Sequence, residues 1–167
     1  MTSRALLLKP FAQAIHAKAI ALRTLDLTPQ QRARFKESIG DDIRKATDLL
    51  TPAVSKAAHA RATRLGINLC TQSWHGQPKF DPGRKVFHFE HCVTVAELRR
   101  LCMKQRSARD VLRVLSTKPR TVWVLKEEDR RLTAQGHKSN RPDPLAAYRK
   151  AGIALVLERT TFLRGKR

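Results

Sequence analysis

The sequence predicts a predominantly helical α+β protein, with a helical N-terminal part packed on a small β-sheet with helices. Apolar residues recur at helical spacing through the first 66 residues. From residue 67, short apolar or aromatic runs alternate with capped helical segments. We therefore expect a helical subdomain over residues 1–66 and a basic α+β domain over residues 67–167, long enough together for a substantial core.

The N-terminal part is expected to hold three helices. Apolar spacing predicts the first over residues 4–24. Thr28 begins the second, because its hydroxyl, the proline that follows and Gln31 form the pattern of a capping box. Thr51, also followed by proline, is expected to begin the third, which Gly66 ends.

The second part is expected to alternate between strands and helices. Short runs rich in apolar or β-branched residues predict strands at 67–73, 85–91, 121–125 and 153–157. Start and stop signals predict helices at about 94–105, 108–115, 127–135 and 145–151. Two prolines and two glycines make residues 74–84 a turn-rich loop.

The charge of the chain indicates a polyanionic partner. Lys and Arg number 34 against 14 Asp and Glu, which gives a formal net charge of +20 and a pI near 11.2. Both parts share the excess, with a net +7 in residues 1–66 and +13 in residues 67–167. A charge spread through the fold favours a folded nucleic-acid-binding protein over a globular protein with a basic arm.

The cysteine content and the hydropathy of the chain limit the cellular compartments in which the protein is expected. The three cysteines, Cys70, Cys92 and Cys102, contain no C-x-x-C pair, which argues against a zinc knuckle or ribbon and favours a reducing compartment. No apolar run approaches the roughly 18 residues of a membrane span. We expect an intracellular protein, cytoplasmic or nucleoid-associated, with no secretory signal. The alternative is a basic N-terminal segment that directs the protein to an organelle.

Strand 85–91 carries the candidate chemistry. Side chains alternate along a strand, so His88 and Glu90 share one face while two phenylalanines and His91 share the other. We expect the phenylalanine face to be buried and His91 to emerge at the end of the strand beside Glu90. A neutral imidazole can take a proton from water, and a neighbouring carboxylate can hold a divalent cation.

The Glu90-His91 pair resembles the acidic-His pair of the ββα-metal (HNH-like) nucleases, over roughly residues 85–140. The resemblance implies that strand 121–125 and helix 127–135 supply the remaining elements, with His91 as general base and Glu90 as ligand to one divalent metal. Mg²⁺ is the favoured ion and Mn²⁺ the alternative. His88 would be a further ligand if both histidines share the metal. A later ligand would come from Glu128, Asp129, His137 or Asn140.

Basic residues around this strand are candidate nucleic-acid contacts. They are Arg84, Lys85, Arg99, Arg100, Lys104, Arg106, Lys138 and Arg141. The last two belong to the loop 137–144, which prolines stiffen and which could equally be an ordinary connector. Trp74 is expected to be an anchor of the core or of a loop, or else a platform for base stacking.

Two functions from different classes fit these observations. The first is a small metal-dependent endonuclease that acts on nucleic acid, with DNA favoured over RNA. The second is a non-enzymatic DNA- or RNA-binding protein, such as a regulator or a ribosome-associated factor. A PD-(D/E)xK nuclease is a poorer match, because Asp81 and Glu90 could be its acids but position 92 is Cys where Lys is expected. We expect no membrane partner, because the chain has no lipidation motif.

Overall fold

The computed structural model describes residues 3–118, 120–138 and 141–156, and over these the predominantly helical α+β class is confirmed. The helices are α1 (Ser3–Thr24), α2 (Pro29–Asp48), α3 (Lys56–Arg64), α4 (Gln77–Phe80), α5 (Val95–Met103), α6 (Ala108–Thr117), α7 (Lys126–Ala134) and α8 (Pro144–Lys150). The strands are β1 (Ala53–Val54), β2 (Phe87–His91) and β3 (Thr121–Leu125). Two 3₁₀ turns lie at Leu69–Thr71 and Pro82–Arg84.

Four helices, α1, α2, α5 and α6, form a bundle with its own apolar core. Its fully enclosed side chains include Leu8, Ile15, Ile39, Leu98 and Leu115. Helix α1 is long and apolar enough to cross a membrane by length and composition alone, which corrects the expectation that no run of the chain approaches a membrane span. One stripe of α1 packs into the bundle, but only 28% of the apolar window is buried. Core helices of soluble proteins and N-terminal signal sequences pass the same test.

The sheet has the order β1-β3-β2, so that β2 is an edge strand. Strand β1 runs parallel to β3, while β2 runs antiparallel to it with Phe89 opposite Trp123 and Glu90 opposite Val122. The strands predicted at 85–91 and 121–125 are therefore neighbours. Trp123 and Val124 are buried, and so are Phe87 and Phe89, as expected for the phenylalanine face.

Both faces of the sheet are covered. The face of Phe87, Phe89 and Trp123 packs on α3 and the turn at Leu69–Thr71. The opposite face, with Val122 and Val124, packs on α7 and α8. His88 and Glu90 are the β2 residues on this second face, because they lie opposite Val124 and Val122. The two residues therefore point towards helices rather than towards open solvent.

Local start and stop signals positioned most helices correctly. Thr28 and Gln31 form the predicted capping box of α2. The hydroxyls of Thr94 and Ser107 cap α5 and α6 by accepting backbone N–H groups three residues on. Gly152 follows α8 with a φ of 68°, a conformation that glycine adopts without a Cβ penalty.

Several predicted elements are wrong. Residues 67–73 form a 3₁₀ turn rather than a strand, because the Asn68 side chain accepts the N–H of Cys70 and bends the backbone. Helix α3 begins at its N-cap Ser55, not at Thr51, because β1 occupies the residues between them. Of the predicted strand 153–157, Leu155 makes a single bridge to Ser55, and Leu157 lies outside the described residues.

The division at residue 66 does not follow the packing. β1 and α3, which precede it, belong to the sheet and its α3 layer. α5 and α6, which follow it, complete the core formed by α1 and α2. The chain thus passes from bundle to sheet, back to the bundle and again to the sheet, because α5 and α6 are inserted between β2 and β3.

Candidate functional site

A cavity of about 410 Å³ lies along β2, at the edge of the sheet. Its walls come from distant parts of the chain: Arg44 of α2, Trp74, the start of α5, Asp129 of α7 and Lys138 after α7. Because β2 is an edge strand, residues from both of its faces reach this cavity. The cavity therefore brings acidic, basic, imidazole and indole side chains together.

An imidazole and two carboxylates converge in this cavity. The Nε2 atom of His88 lies 3.0 Å from Oε2 of Glu90 and 3.7 Å from Oδ1 of Asp129. One potential ligand atom from each residue lies within 4.8 Å of the other two. Strand β2 supplies the first two residues at i and i+2, and α7 packs over that face and supplies the third.

Arg141 holds Glu90 in place from behind. Its Nη1 atom donates to Oε1 of Glu90 and, at 3.0 Å, to the carbonyl oxygen of His91. Its Nε atom donates to the carbonyl oxygen of His137, and the residue is buried. Burial on its own raises the pKa of the Glu90 carboxyl, but hydrogen bonding to His88 and the charge of Arg141 outweigh it. The net pKa is lowered, which keeps Glu90 ionised at neutral pH.

The structure does not support His91 as a general base. Its ring lies on the other face of β2, edge-on to Phe89, and its Nε2 atom is 2.9 Å from the Thr47 hydroxyl. Removal of the ring from water lowers the pKa of His91 to about 4, the charge of Glu90 opposes that shift, and Arg44 adds to it. A nitrogen that is already hydrogen-bonded and that binds protons so weakly is a poor acceptor near pH 7. His91 instead joins β2 to α2.

The ligand types of His88, Glu90 and Asp129 could hold a divalent cation. Ligand atoms held about 2.1 Å from one ion lie roughly 3.0–3.4 Å apart in octahedral or tetrahedral coordination. The separations of 3.0 and 3.7 Å from His88 Nε2 are close to that range. Arg141 would orient Glu90 as an outer partner of the kind that fixes ligands in metal sites.

Glu128 and His137, two further predicted ligands, are not part of this cluster. Glu128 is buried, where Oε2 accepts the hydroxyl of Ser55 at 2.6 Å and the backbone N–H of Leu125 at 2.8 Å. Its carboxylate therefore joins the start of α7 to the start of α3. His137 contributes its carbonyl oxygen to Arg141, and its Nε2 atom has no hydrogen-bond partner among the described residues. Asn140 lies outside the described residues.

The predicted nucleic-acid contacts are scattered. Of the eight, Lys138 is an exposed part of the cavity wall, while Arg141 lines it with a buried guanidinium. Arg84 stacks on Trp74. Arg99 donates to the carbonyl oxygen of Lys36 at 3.4 Å, and Arg100 pairs with Glu97. Lys104 and Arg106 are exposed and are not part of the cavity wall.

A second cavity, which we call the basic groove, lies at the other end of β2. It measures about 330 Å³, and its lining includes Arg61, Lys85, Lys126 and Arg130 against a single acid, Glu127. The four cations make no ion pair with any described residue. Sequence reasoning found Lys85 alone, because the others come from α3 and α7 and meet only when both helices pack along β2 and β3.

Asp81 has a structural role that accounts for its position before β2. Its carboxylate accepts the backbone N–H groups of Lys85, Val86 and Phe87 and the side-chain amide of Gln77. Burial raises the pKa of Asp81 and these hydrogen bonds lower it, with a net lowering. All of its capacity to accept is used within the loop, which leaves a PD-(D/E)xK arrangement without support.

Comparison with protein-family models, curated proteins and solved structures gives no match for this chain. The side chains that line the cavity are therefore the basis for assigning its chemistry. These are a converging imidazole and two carboxylates, the cations Arg44 and Lys138, and a partly exposed indole.

Proposed function

We propose that the protein is a small metal-dependent endonuclease that binds nucleic acid and hydrolyses phosphodiester bonds at the cavity beside β2. The observation that carries this proposal is the convergence of His88, Glu90 and Asp129 within 4.8 Å in a cavity that also holds cations, in a chain of net charge +20. Phosphodiester hydrolysis needs such cationic surroundings, because negative charge accumulates on the phosphoryl oxygens.

The ligand set favours Mn²⁺ over the Mg²⁺ that the sequence suggested. Mg²⁺ prefers oxygen ligands, whereas imidazole suits softer divalent ions and carboxylates suit Mn²⁺. His88 contributes nitrogen, and Glu90 and Asp129 contribute oxygen. A divalent ion, when bound, supplies positive charge for a phosphoryl oxygen and lowers the pKa of water.

The remaining residues of the cavity would bind and orient the substrate. Arg44 and Lys138 are exposed cations in its wall, suited to contact phosphates on either side of the scissile bond. The basic groove, at the other end of the same strand, offers four more cations to the nucleic-acid backbone. Lys85 and Val86 of the groove lie immediately before β2, whereas His88 and Glu90 of the cluster lie within that strand.

Apart from the insertion of α5 and α6 between the two strands, the arrangement of elements supports a ββα-metal site with a changed pair. β2 and β3 are antiparallel, α7 follows β3 directly, and α7 contributes Asp129. Because α7 covers the face of His88 and not that of His91, the working pair in this proposal is His88-Glu90. Glu90 remains a proposed metal ligand, whereas His91 is no longer proposed as the general base.

One observation favours simple binding as a second candidate. Both oxygens of Glu90 already have partners, in His88 and Arg141, so the cluster is also satisfied as a metal-free network. In that case the four cations of the basic groove would act without hydrolysis, in a regulator or an RNA-associated factor. Buried free thiols at Cys92 and Cys102 suit an intracellular setting for either function.

A cleavage assay distinguishes the endonuclease function from simple binding. Purified protein is incubated with plasmid DNA, single-stranded DNA and RNA, with Mn²⁺, with Mg²⁺ and with chelator. We expect cleavage with Mn²⁺ that falls about 100-fold or more in His88→Ala and Asp129→Asn. His59→Ala is the matched control, because His59 is exposed on α3 and lines neither cavity. Tight binding without cleavage under every condition would select the binding function.

A further inference from the structure

We infer that Trp74 is a stacking platform for an unpaired nucleobase, so that the cavity takes single-stranded or locally unpaired nucleic acid. This inference rests on the proposed function for the phosphodiester substrate and adds to it the conformation of that substrate. Four features carry it: the exposure of the indole, its place in the cavity wall, the rigidity of its backbone and the cation on its ring.

The two tryptophans have opposite surroundings. Trp123 is 0% exposed, and its ring packs edge-on against Phe80 and Phe89 in the core. Trp74 is 42% exposed and lines the same cavity as His88 and Asp129. A tryptophan that only anchored a loop would bury its ring as Trp123 does, because a fully buried aromatic side chain contributes most to stability.

The backbone under Trp74 is fixed by α2. The Asp48 carboxylate, at the end of that helix, accepts the backbone N–H of Trp74 at 2.6 Å and that of His75 at 3.3 Å. The Ser73 hydroxyl accepts the N–H of Gly76, immediately before α4 begins at Gln77. The backbone that carries the indole is therefore ordered before any ligand arrives, which lowers the entropy cost of stacking on the ring.

Arg84 completes the platform. Its guanidinium carbon lies 4.1 Å from the centroid of the Trp74 ring, a cation–π contact that covers one side of the indole. The same residue, Trp74, lines the cavity. A base stacked there would place its own phosphate near cations, because Arg84 lies on the ring itself and Arg44 lies in the same wall. One site thus offers an indole for the base and cations for the phosphate of the same nucleotide.

The size of the cavity selects against an intact double helix. A volume of about 410 Å³ falls in the range of pockets that hold a single small ligand, such as one nucleotide. The carboxylates of the cluster lie inside this volume, with Asp129 and Glu90 only partly accessible. A base that enters this volume must therefore be unpaired, whether its strand has separated from a complement or is already single.

Intrinsic fluorescence tests the inference directly, because Trp123 is enclosed and Trp74 is not. A single-stranded oligodeoxythymidine is titrated into the protein with chelator present, and a blunt duplex of the same length is titrated in parallel. We expect the single strand to quench the exposed tryptophan and the duplex to quench it far less. Trp123→Phe should retain the quenching and Trp74→Phe should lose it.

Affinity measurements on labelled oligonucleotides complete the test. Trp74→Leu should weaken binding of the single strand by about 5- to 150-fold while duplex binding stays within about twofold. Trp74→Phe, which keeps a smaller ring, should lie between wild type and Trp74→Leu. Thermal melting of each variant establishes that it is folded.

The outcomes distinguish this inference from the function on which it rests. If the protein binds and cleaves nucleic acid but Trp74→Leu binds single strands as wild type does, the stacking platform is wrong and the proposed function stands. Equal quenching by duplex and single strand would overturn the preference for unpaired substrate. If neither oligonucleotide binds at low salt, both proposals fail.

Discussion

Arg141 and Glu90 form a buried ion pair that ties the segment before α8 to the edge strand β2. The Arg141 guanidinium contacts both the Glu90 side chain and the carbonyl oxygen of the next residue, His91. Arg141 also lies over the ring of Tyr148, 5.9 Å from its centroid, so that α8 is part of the same assembly. The position of the candidate metal ligand Glu90 thus depends on a residue that lies far along the chain, just before α8.

Arg141→Met should destabilise the protein strongly. Removal of the guanidinium leaves the Glu90 carboxylate buried without its cation, which costs about 3–5 kcal/mol of the free energy of unfolding. Urea denaturation followed by circular dichroism measures this loss. Arg149→Met, at an exposed position of α8, should change stability by less than about 0.5 kcal/mol. Adding Glu90→Gln to Arg141→Met should recover part of the loss, and a single variant as stable as wild type would contradict the pairing.

Stability should fall between pH 6.5 and 4 because of His91. The pKa of this ring is about 4 in the folded protein, against an ordinary value of 6.5 in the unfolded chain. Below pH 6.5 the unfolded state therefore binds a proton that the folded state excludes. The His91 contribution is complete above pH 6.5 and is lost as the pH falls, by about 2 kcal/mol at pH 5.

The His91 effect is isolated by comparing variants. Urea midpoints at pH 7.5 and pH 5 should differ less in His91→Asn than in wild type, because the titrating ring is gone. His59→Asn should keep the wild-type difference, since His59 is exposed on α3. Identical pH dependence in His91→Asn and wild type would show that the ring is solvated.

Mn²⁺ should raise the melting temperature of the protein. An ion at 100 times its Kd adds about 2.7 kcal/mol to the free energy of unfolding, which is roughly 5–10 °C for a chain of this length. Asp129→Asn should remove the shift, because a neutral amide is a weaker ligand. Glu127→Gln, on the same helix with a side chain that is 71% exposed, should keep it. An equal shift in both variants would place the ion elsewhere.

The salt dependence of nucleic-acid binding should reflect phosphate contacts made by the cations of the basic groove. If six or more phosphates are neutralised, log K should fall with log salt with a slope of about −5 or steeper. Lys85→Ala with Arg130→Ala should make the slope shallower by about 0.7–0.9 for each phosphate that is no longer neutralised. Lys104→Ala with Arg106→Ala removes the same charge from positions that line neither cavity, and should leave the slope nearly unchanged.

Local sequence signals predicted most helices correctly, but such signals could not predict strand β1 or how the faces of the sheet are covered. Caps such as Thr28 and Ser107 act within four residues, so the sequence contains them completely. The two residues of β1 carry no such signal, because they are strand only through pairing with β3. The covering of both faces of β2 likewise depends on α3 and α7, which its own sequence does not specify.

The site was predicted in part for the same reason. Alternation along β2 placed His88 and Glu90 on one face, and that grouping is what the structure has. Glu128 and Asp129 are adjacent on α7, and only tertiary packing decides that the first meets Ser55 while the second meets His88. Arg44 was missed because it lies far before β2 in the chain and reaches the cavity through the packing of α2.

The insertion of α5 and α6 between β2 and β3 has a consequence during synthesis. The bundle cannot close until residue 117 has left the ribosome, and β2 then still lacks its partner β3. Asp129 and Arg141 emerge later again, so a nascent chain carries His88 and Glu90 without the two residues that complete their surroundings. A chain that stalls before residue 129 therefore lacks one member of the cluster, and a chain that stalls before residue 141 lacks the guanidinium that holds Glu90 in place.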